Sequence, residues 1–416
     1  MKWARDLFPF CRSLTGEGNR QTLKYIKSVN SKFIIKFFKS NKKVFDWQIP
    51  LEWKINDAYF EDHKGKRYAN FKKNNLHILN YSKSINKKVS LEKLKKNIYT
   101  LKDRPKSIPY VTSYYKRRWG FCLDYNTLKK LKNSDYLAYI DSKLFKGKMN
   151  YAELKIKGKS KKEILLSSYI CHPSMANNEL SGPLVLLALS KILKPSKYTV
   201  RIILIPETIG AISYINKNIK HLKNNLIAGF NVSCVGGNGP FTLISSIEES
   251  TYADKIALRV MKKRKKFKKL SFLYRGSNER QFGCQNLNLP YVTICRGRFG
   301  DYKEYHTSDD NLNLISGKNL FDSLKCILEI VNEIQNNNIY IKKVICEPFL
   351  TKYNLGRTIG LRQMRNKEEI NIINVISYVG KNYDLVDISK KLKIPFKKLN
   401  LLVKKIEKKK IIEKYY

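Results

Sequence analysis

The second half of the chain alternates short apolar runs with amphipathic stretches. Continuous apolar runs predict buried strands at 152–158, 163–172, 199–207, 226–235 and 290–297. Apolar residues at helical spacing predict helices between them, at 181–193, 211–219, 251–263 and 319–335. Short buried strands that alternate with helices are typical of a largely parallel sheet covered on both faces. The pattern therefore predicts an α/β fold with a mixed, mostly parallel sheet and helices on both faces.

The first part of the chain has a different texture. Residues 1–40 carry apolar positions at helical spacing and are predicted to be mostly helical. From Val44 the chain is rich in aromatic and β-branched residues punctuated by proline and glycine, which predicts strands. One short helix is expected there, with Ser90 as its N-cap. We predict one α/β domain formed by residues 1–40 and 130–345, and a β-rich insertion at 44–128 packed over its active face.

Three short helices and a β-like end are predicted for the tail, residues 346–416, and they resemble a winged helix-turn-helix. The third of these helices offers many lysines but no arginine, and lysine contacts to phosphates position a protein without specifying sequence. We therefore expect no sequence-specific nucleic-acid binding. The tail is predicted to be a docking or dimerisation module, and a homo-oligomer is an open expectation. Its core, or its docking face, is expected to use the apolar residues of the third helix, Leu399, Leu401, Leu402, Val403 and Ile406.

Composition adds three expectations. The formal charge of +48 comes from lysines spread over all 416 residues, and the densest basic run, 262–269, is predicted to be a solvated surface. No apolar run reaches the ~18–20 residues that a membrane span needs, and the N-terminus does not resemble a signal peptide. We therefore expect a cytoplasmic protein without a membrane span. The eight cysteines include no C-x-x-C pair, so free and mostly buried thiols are expected.

Polar side chains capable of chemistry follow three of the predicted strands. His172 and Glu179 lie in the segment at 169–182, Glu207 follows the next strand, and His306 lies between a later strand and the last long helix. The carboxyl ends of strands meet at one edge of such a sheet, so these side chains are expected to converge. Two histidines and one or two glutamates suit one zinc ion, which activates a water molecule at neutral pH.

Several motifs in sequence order resemble those of the zinc aminopeptidase superfamily, which includes di-zinc aminopeptidases and glutaminyl cyclases. They are "CHPSMANNELSGP", "IPETIGAI", "GSNERQFG" and "EYHTSDDN". With "VFDWQIPLEWKINDAYF", "NNLHILNYS" and "IPYVTSYYKRRWGFC", the whole chain is similar to a bacterial subfamily found with surface-polysaccharide genes. That subfamily is aminopeptidase-like and carries a small inserted domain and a C-terminal winged helix.

The resemblance implies that His172 and His306 are metal ligands and that Glu207 is a ligand or the catalytic base. The chain departs from the superfamily at three carboxylate positions, where Asn178, Thr208 and Ser233 stand. These departures argue against two metal ions. Glu179 could supply the missing carboxylate if the turn is shifted by one residue, so the expected zinc ligands are His172, Glu179, Glu207 and His306.

The resemblance also implies that Asn278, Glu279 and Arg280 line a substrate site together with Asn178, although a salt-bridged loop is an alternative. The other three histidines, His63, His77 and His221, lack such support and are interpreted as structural. The predicted function is a zinc-dependent, aminopeptidase-like hydrolase. It would act on an amide bond of a small peptide or sugar-linked substrate in surface polysaccharide biosynthesis. The alternative is a catalytically degenerate, aminopeptidase-like protein that binds a ligand or regulates.

Overall fold

A computed structural model describes residues 1–357, 365–380 and 382–415. The chain divides into two compact units, Met1–Ile330 and Val331–Tyr416. The α-helices among the described residues are α1 (Lys2–Leu7), α2 (Glu17–Val29), α3 (Leu91–Lys95), α4 (Tyr125–Lys129), α5 (Ser181–Ile192), α6 (Ile209–Asn225), α7 (Tyr252–Met261), α8 (Glu279–Phe282), α9 (Gly317–Asn336), α10 (Lys367–Tyr378), α11 (Leu385–Leu392) and α12 (Phe396–Lys408). The strands are β1 (Ile34–Lys39), β2 (Lys43–Val44), β3 (Trp47–Gln48), β4 (Glu52–Glu61), β5 (Arg67–Tyr68), β6 (Ile85–Ser90), β7 (Ile98–Tyr99), β8 (Phe121–Cys122), β9 (Asp135–Phe145), β10 (Lys148–Ile156), β11 (Ser160–Tyr169), β12 (Tyr198–Ile205), β13 (Leu226–Val232), β14 (Phe241–Ile244), β15 (Phe267–Leu270), β16 (Tyr291–Arg296), β17 (Tyr340–Lys342) and β18 (Ile412–Lys414).

An eight-stranded sheet forms the centre of the first unit, in the order β1-β10-β12-β11-β13-β16-β14-β15. The middle strands β12, β11, β13 and β16 are parallel, and β10 and β14 flank them in antiparallel pairing. The chain passes from β11 through α5 to β12, and then from β12 through α6 back across β11 to β13. Right-handed crossovers in opposite directions place their helices on opposite faces of a sheet. The predicted fold class, a mixed and mostly parallel sheet with helices on both faces, is confirmed.

The prediction that residues 1–40 are mostly helical is wrong in its last part. Helices α1 and α2 are present, but Ile34–Lys39 is strand β1, which pairs with β10 at the edge of the sheet. Its isoleucine and phenylalanine residues favour strands, and the pairing buries Phe38 with its ring stacked on Tyr151 at 4.9 Å. The apolar spacing alone did not separate the end of the helix from the start of the strand.

A second, four-stranded sheet with the order β5-β4-β9-β6 lies in the β-rich region. Its core is aromatic, because Phe60 contacts Tyr68, Phe121 and Tyr136 with ring centroids 5.4–5.8 Å apart. Strand β9 lies in a segment that the sequence pattern assigned to the main domain. It pairs with β4 and β6, so the smaller sheet extends to Phe145.

The second unit contains α10, α11 and α12 and the antiparallel pair β17-β18. Asn366 and Asp384 form capping boxes that begin α10 and α11. Ile372, Leu399 and Val403 lie in the buried core of this unit. Leu401 is 64% exposed and lies outside this core, so for this residue the alternative, a docking face, stays a prediction. Parts of the predicted tail, residues 358–364, 381 and 416, lie outside the described residues.

Two composition-based expectations can be compared with the fold. Across the described ranges, no helix has both the length and the apolar character needed to cross a bilayer. The eight cysteines are free, and most of them are buried.

Candidate active site

The candidate site lies where the order of parallel strands reverses. Strand β11 is followed in the chain by β12 on one side of it and later by β13 on the other side, and this arrangement opens a crevice at the carboxyl ends of the strands. His172 follows β11, Glu207 follows β12, and Ser233 follows β13. His306 lies in the loop after β16. The predicted convergence of these strand ends brings the two histidine rings to within 5.2 Å between centroids.

One side of the His172 imidazole is held by buried ionic partners. His172 Nδ1 lies 2.9 Å from Glu179 Oε2, and Glu179 Oε1 lies 3.3 Å from Nε of Arg12. The same Arg12 Nε donates to the carbonyl oxygen of His172 at 3.0 Å. Glu179 and Arg12 are fully buried. Burial opposes protonation of His172, but Cys171 and Glu179 outweigh it and hold the pKa of the imidazole well above its ordinary value.

The other side of the same ring faces a carboxylate. His172 Nε2 lies 4.0 Å from Glu207 Oε2. Ser277 donates its hydroxyl to Glu207 Oε1 at 2.5 Å, which fixes the carboxylate's orientation. Burial raises the pKa of Glu207, although His172 and Ser277 counteract part of this effect. The carboxylate is therefore positioned beside the histidine in surroundings that favour the uptake of a proton.

His306 is held by ring contacts and strained backbone rather than by hydrogen bonds to its imidazole. Its φ of 54° lies in the left-handed region, and its ring stacks on Tyr305 with centroids 3.9 Å apart. Its Nε2 is buried and has no hydrogen-bond partner among the described residues. Burial and then the neighbouring His172 lower the pKa of His306 well below its ordinary value, so the imidazole is neutral. A strained, neutral histidine with an unsatisfied buried nitrogen needs a functional explanation.

The inserted region supplies one wall of the site. Tyr110 packs its ring edge-on against His172 and His306, with centroids 5.2 and 5.1 Å away. Its backbone N–H donates to the carbonyl oxygen of His306 at 2.8 Å, and Arg104 pairs with Asp309 at 2.5 Å. The insertion is thus fastened to the loop that carries His306. Sequence reasoning placed the insertion over this face but did not single out Tyr110, although the aromatic segment "IPYVTSYY" contains it.

The turn before α5 is organised by a carboxylate that sequence reasoning missed. Asp310 is fully buried and accepts the backbone N–H groups of Ala176, Asn177 and Asn178 at 2.6–3.0 Å. Asn178 donates through Nδ2 to the hydroxyl of Tyr169 at 2.9 Å, and its Oδ1 is buried without a partner among the described residues. Asp310 stands four residues after His306 in an acidic pair, which gave no signal that distinguished it from a surface turn. Arg12 was missed for the same kind of reason, since nothing in its neighbourhood marks a buried arginine.

The predicted substrate residues 278–280 make contacts within their own loop and to Thr208. Asn278 Oδ1 accepts the N–H of Thr208 at 3.0 Å, and Arg280 donates to the Thr208 hydroxyl at 2.5 Å. Glu279 is fully buried and accepts the N–H groups of Gly276 and Ser277 at 2.7 and 3.0 Å. These contacts order the segment that presents Ser277 to the Glu207 carboxylate. Contact with a substrate stays a prediction for Asn178, Asn278, Glu279 and Arg280.

Two sets of groups beside His172 have the chemistry of zinc ligands. On the Nδ1 side, ligand atoms of Cys171, His172 and Glu179 lie within 4.8 Å of one another. There, however, the Arg12 cation already neutralises Glu179, and burial raises the pKa of the Cys171 thiol to about 11, against the opposing effect of His172. On the Nε2 side lie the Glu207 carboxylate and the His306 ring. Among the described residues, no lysine or arginine forms an ion pair with the Glu207 carboxylate, so this side fits one zinc ion better.

The strand-end crevice with its histidines belongs to an aminopeptidase-like α/β fold. A zinc aminopeptidase from Bacillus subtilis has the same fold, with a TM-score of 0.56 at 13% identity, over 80% of this chain and 94% of that one. The model of the family described as "Domain of unknown function (DUF4910)" matches residues 1–337, and the chain belongs to that family. A winged helix-turn-helix model matches residues 338–414, as the tail pattern predicted.

Two more similar comparisons come from Clostridium acetobutylicum. The chain is 37% identical over 402 residues to a protein named "Putative polysaccharide biosynthesis protein with aminopeptidase-like domain", covering 95% of this chain and 91% of that one. It also superposes on the crystal structure of a "putative peptidase" with a TM-score of 0.82 at 36% identity, covering 99% of this chain and 95% of that one. The suspected resemblance to the zinc aminopeptidase superfamily and its polysaccharide-associated subfamily is confirmed.

Proposed function

We propose that this chain is a single-zinc hydrolase of the aminopeptidase type that cleaves an amide bond. The observation that carries the proposal is the unsatisfied side of the candidate site. His306 Nε2 is buried without a partner, His172 Nε2 faces Glu207 Oε2 at 4.0 Å, and the two imidazole rings lie 5.2 Å apart. Buried polar groups are normally hydrogen-bonded, so a side chain left without a partner at this position supports a ligand.

His172, His306 and Glu207 would hold the ion, and three protein ligands are typical of catalytic zinc sites. Among the described residues, only Cys171, His172 and Glu179 have ligand atoms that all lie within 4.8 Å of one another, so the three proposed ligands would have to move closer together to hold the ion. The bound ion would polarise a carbonyl and activate a water molecule. Glu179 is proposed as the partner that orients His172 rather than as a ligand, because its Oε2 already binds the other nitrogen of that ring.

A second ion has no comparable support. The superfamily's bridging and second-metal carboxylates are replaced by Asn178 and Ser233, and a neutral amide or hydroxyl binds a cation weakly. The unpartnered Oδ1 of Asn178 is the remaining neutral donor, and Ser233 is fully buried. The charge available on the Nε2 side therefore suits one divalent ion.

The work of the chain's own residues can be assigned. Ser277 holds the Glu207 carboxylate in place, and burial raises its pKa toward the range in which a carboxylate can accept a proton at neutral pH. Tyr110 covers both histidine rings and excludes water from that side.

The variant Glu207→Gln distinguishes the two possible roles of Glu207. Loss of zinc from the variant would identify Glu207 as a ligand, whereas zinc retained with lost turnover would identify it as the proton acceptor.

The substrate class follows from the relatives and from the site walls. The C. acetobutylicum relative is named for polysaccharide biosynthesis, and tyrosine rings surround the two histidines here. We extend the proposal to an amide on a peptide or on a sugar-linked substrate. Aromatic walls suit the apolar faces of such molecules and leave the hydroxyl groups for polar contacts.

A second candidate function is a ligand-binding protein that has lost catalysis. It is favoured by Thr208, which stands at a carboxylate position and is engaged by Arg280 at 2.5 Å and by Asn278 at 3.0 Å. Such a protein would be stable and active in binding without zinc, so metal content separates the two functions.

The test is a calorimetric zinc titration of the chelator-treated full chain, with a panel of aminoacyl anilides and N-acylated amino sugars assayed in parallel. We expect one zinc per chain and amide cleavage that depends on it. His172→Ala and His306→Asn should abolish stoichiometric zinc, and asparagine is chosen at 306 because it tolerates the left-handed backbone. His221→Asn is the matched control, because that histidine pairs with Glu163 outside the site. Zinc bound equally by all variants would refute the ligand assignment, and no zinc at all would favour the binding protein.

A further inference from the structure

A strongly basic cleft lies beside strand β14 and the start of helix α9. It has a volume of about 680 Å³. Its basic lining consists of Lys263, Arg264, Lys265, Lys266, Arg296 and Lys318. None of the candidate zinc ligands lines the cleft.

The charge in the cleft is almost entirely positive. Six lysine and arginine side chains line it, against the single carboxylate of Asp322. A concave surface of one sign focuses the electrostatic potential, so it concentrates ions of the opposite sign. The basic run at 262–269 is predicted from the sequence to be a solvated surface, but folding places part of that run in the lining of the same cleft as Arg296 and Lys318.

Two arginines are fixed in position by an aromatic ring. The guanidinium groups of Arg296 and Arg264 lie 4.7 and 5.7 Å from the centroid of Phe241. Arg264 also pairs with Glu329 at 2.6 Å, which anchors it from behind. Such contacts hold the cations in a defined arrangement before any ligand arrives, and that lowers the cost of binding.

Arg296 is not satisfied by the protein alone. Its side chain is nine-tenths buried, it donates through Nη1 to the carbonyl oxygen of Asn319 at 3.1 Å, and its Nε has no partner among the described residues. Burial lowers the pKa of Arg296, although Asp322, 3.8 Å away, counteracts part of this effect. A bound anion would stabilise this buried charge.

The backbone contributes to the same cleft. Helix α9 begins at Gly317, and Ser316 accepts the N–H of Asn319 at 3.1 Å. A 20-residue helix carries a partial positive charge at this end, which adds to the side-chain cations. Gly239 allows the turn to approach β16 closely, because a Cβ there would lie 2.8 Å from the carbonyl oxygen of Arg296.

We propose that this cleft binds a small molecule that carries a phosphate or diphosphate group. The volume suits a ligand of nucleotide or sugar-phosphate size, and paired arginines and lysines are the groups that recognise phosphate. The Phe241 ring is already covered by guanidinium groups, so the cleft offers the phosphate group its main contacts rather than a stacking surface for a base. The proposal does not rest on zinc or on amide hydrolysis.

The test is isothermal titration of the full chain with pyrophosphate, adenosine diphosphate and glucose 1-phosphate at physiological salt. We expect saturable 1:1 binding. The double variant Lys265→Gln/Lys318→Gln should weaken it about tenfold, since two charge-assisted contacts at an accessible site are removed. The matched control is Lys262→Gln/Lys268→Gln, which removes the same charge from exposed positions of the same basic run outside the cleft. It should change the affinity less than twofold.

The three probes also separate the sources of phosphate. Equal affinity for pyrophosphate and adenosine diphosphate supports a site for the diphosphate group itself, and tighter glucose 1-phosphate binding supports a sugar phosphate. Equal weakening by the two double variants would contradict the proposal, because it would indicate attraction by net charge alone. Absence of saturable binding of all three probes would also overturn it.

Discussion

The two sides of the His172 ring differ in how their charges are paired. On the Nδ1 side, the fully buried Glu179 and Arg12 contact each other and His172 at 2.9–3.3 Å. Arg12 Nη2 and Glu179 Oε1 make no hydrogen bond among the described residues, but the two opposite charges form an ion pair. On the Nε2 side, His306 Nε2 is buried without a hydrogen-bond partner among the described residues.

The contrast distinguishes residues that stabilise the fold from residues that are available to bind a ligand. Buried charges are costly unless they are paired, and the Nδ1 side meets that requirement within the chain. On the Nε2 side the buried Nε2 of His306 lacks a hydrogen-bond partner among the described residues, and a protein retains such a group where a ligand completes it. We therefore expect changes on the Nδ1 side to lower stability, and changes on the Nε2 side to alter metal binding.

The largest expected effect is that of Arg12→Met. It leaves the Glu179 carboxylate buried and unpaired by its cation, which should lower the free energy of unfolding by about 3–5 kcal/mol. Urea denaturation followed by circular dichroism measures this. The control is Lys96→Met, which breaks an exposed pair with Glu92 and should cost about 0.5 kcal/mol or less. An equal loss of unfolding free energy in the two variants would contradict the view that the buried Arg12–Glu179 pair stabilises the fold more than a surface pair does.

The next effect concerns Asp310, which binds the backbone of the turn before α5. The two carboxylate oxygens of Asp310 accept three backbone N–H groups, and Asp310→Asn exchanges one of these oxygens for an NH₂ donor. The substitution should lower the free energy of unfolding by about 1–3 kcal/mol. Its neighbour offers a matched control, because Asp309 is 37% exposed and pairs with Arg104. Asp309→Asn should cost about 1 kcal/mol or less. The comparison fails if Asp309 proves the more costly of the two in denaturant melts.

The sequence predicted the sheet and the strand ends well because both depend on local patterns. The apolar runs before His172 and Glu207 marked buried parallel strands, and the reactive residues follow those runs directly. Strand β1, at one edge of the main sheet, and the long strand β9 were assigned poorly, because their partners lie far away in the chain, and strand β14, next to the opposite edge, was not predicted. The motifs predicted that the two histidines converge, and their ring centroids lie 5.2 Å apart.

The supporting residues could not be read from the sequence in the same way. Arg12 lies 160 residues from the carbonyl oxygen that it binds, and Asp310 lies more than 130 residues from the N–H groups that it accepts. Their burial results from tertiary packing, and an arginine or aspartate is normally expected at the surface. The sequence also could not predict which side of the His172 ring each glutamate faces, because Glu179 and Glu207 are the same residue type.

The smallest expected effect concerns Asn178, whose buried Oδ1 lies in the turn that follows His172. Asn178→Asp restores an anionic oxygen at the buried position whose Oδ1 lacks a partner, and it should raise zinc affinity about tenfold. Calorimetric titration of the two chelator-treated proteins measures the ratio. Ser174→Asp, beside the same turn, is the control, and it should leave the affinity unchanged. A gain as large in the control would indicate general electrostatic attraction.

The most direct test of the central claim is anomalous diffraction at the zinc edge from crystals grown with one equivalent of zinc. The account predicts a single peak on the Nε2 side of His172, within bonding distance of His306 and Glu207. A peak on the Nδ1 side, coordinated by Cys171 and Glu179 with Arg12 displaced, would contradict it, and so would a crystal without any zinc peak at this site.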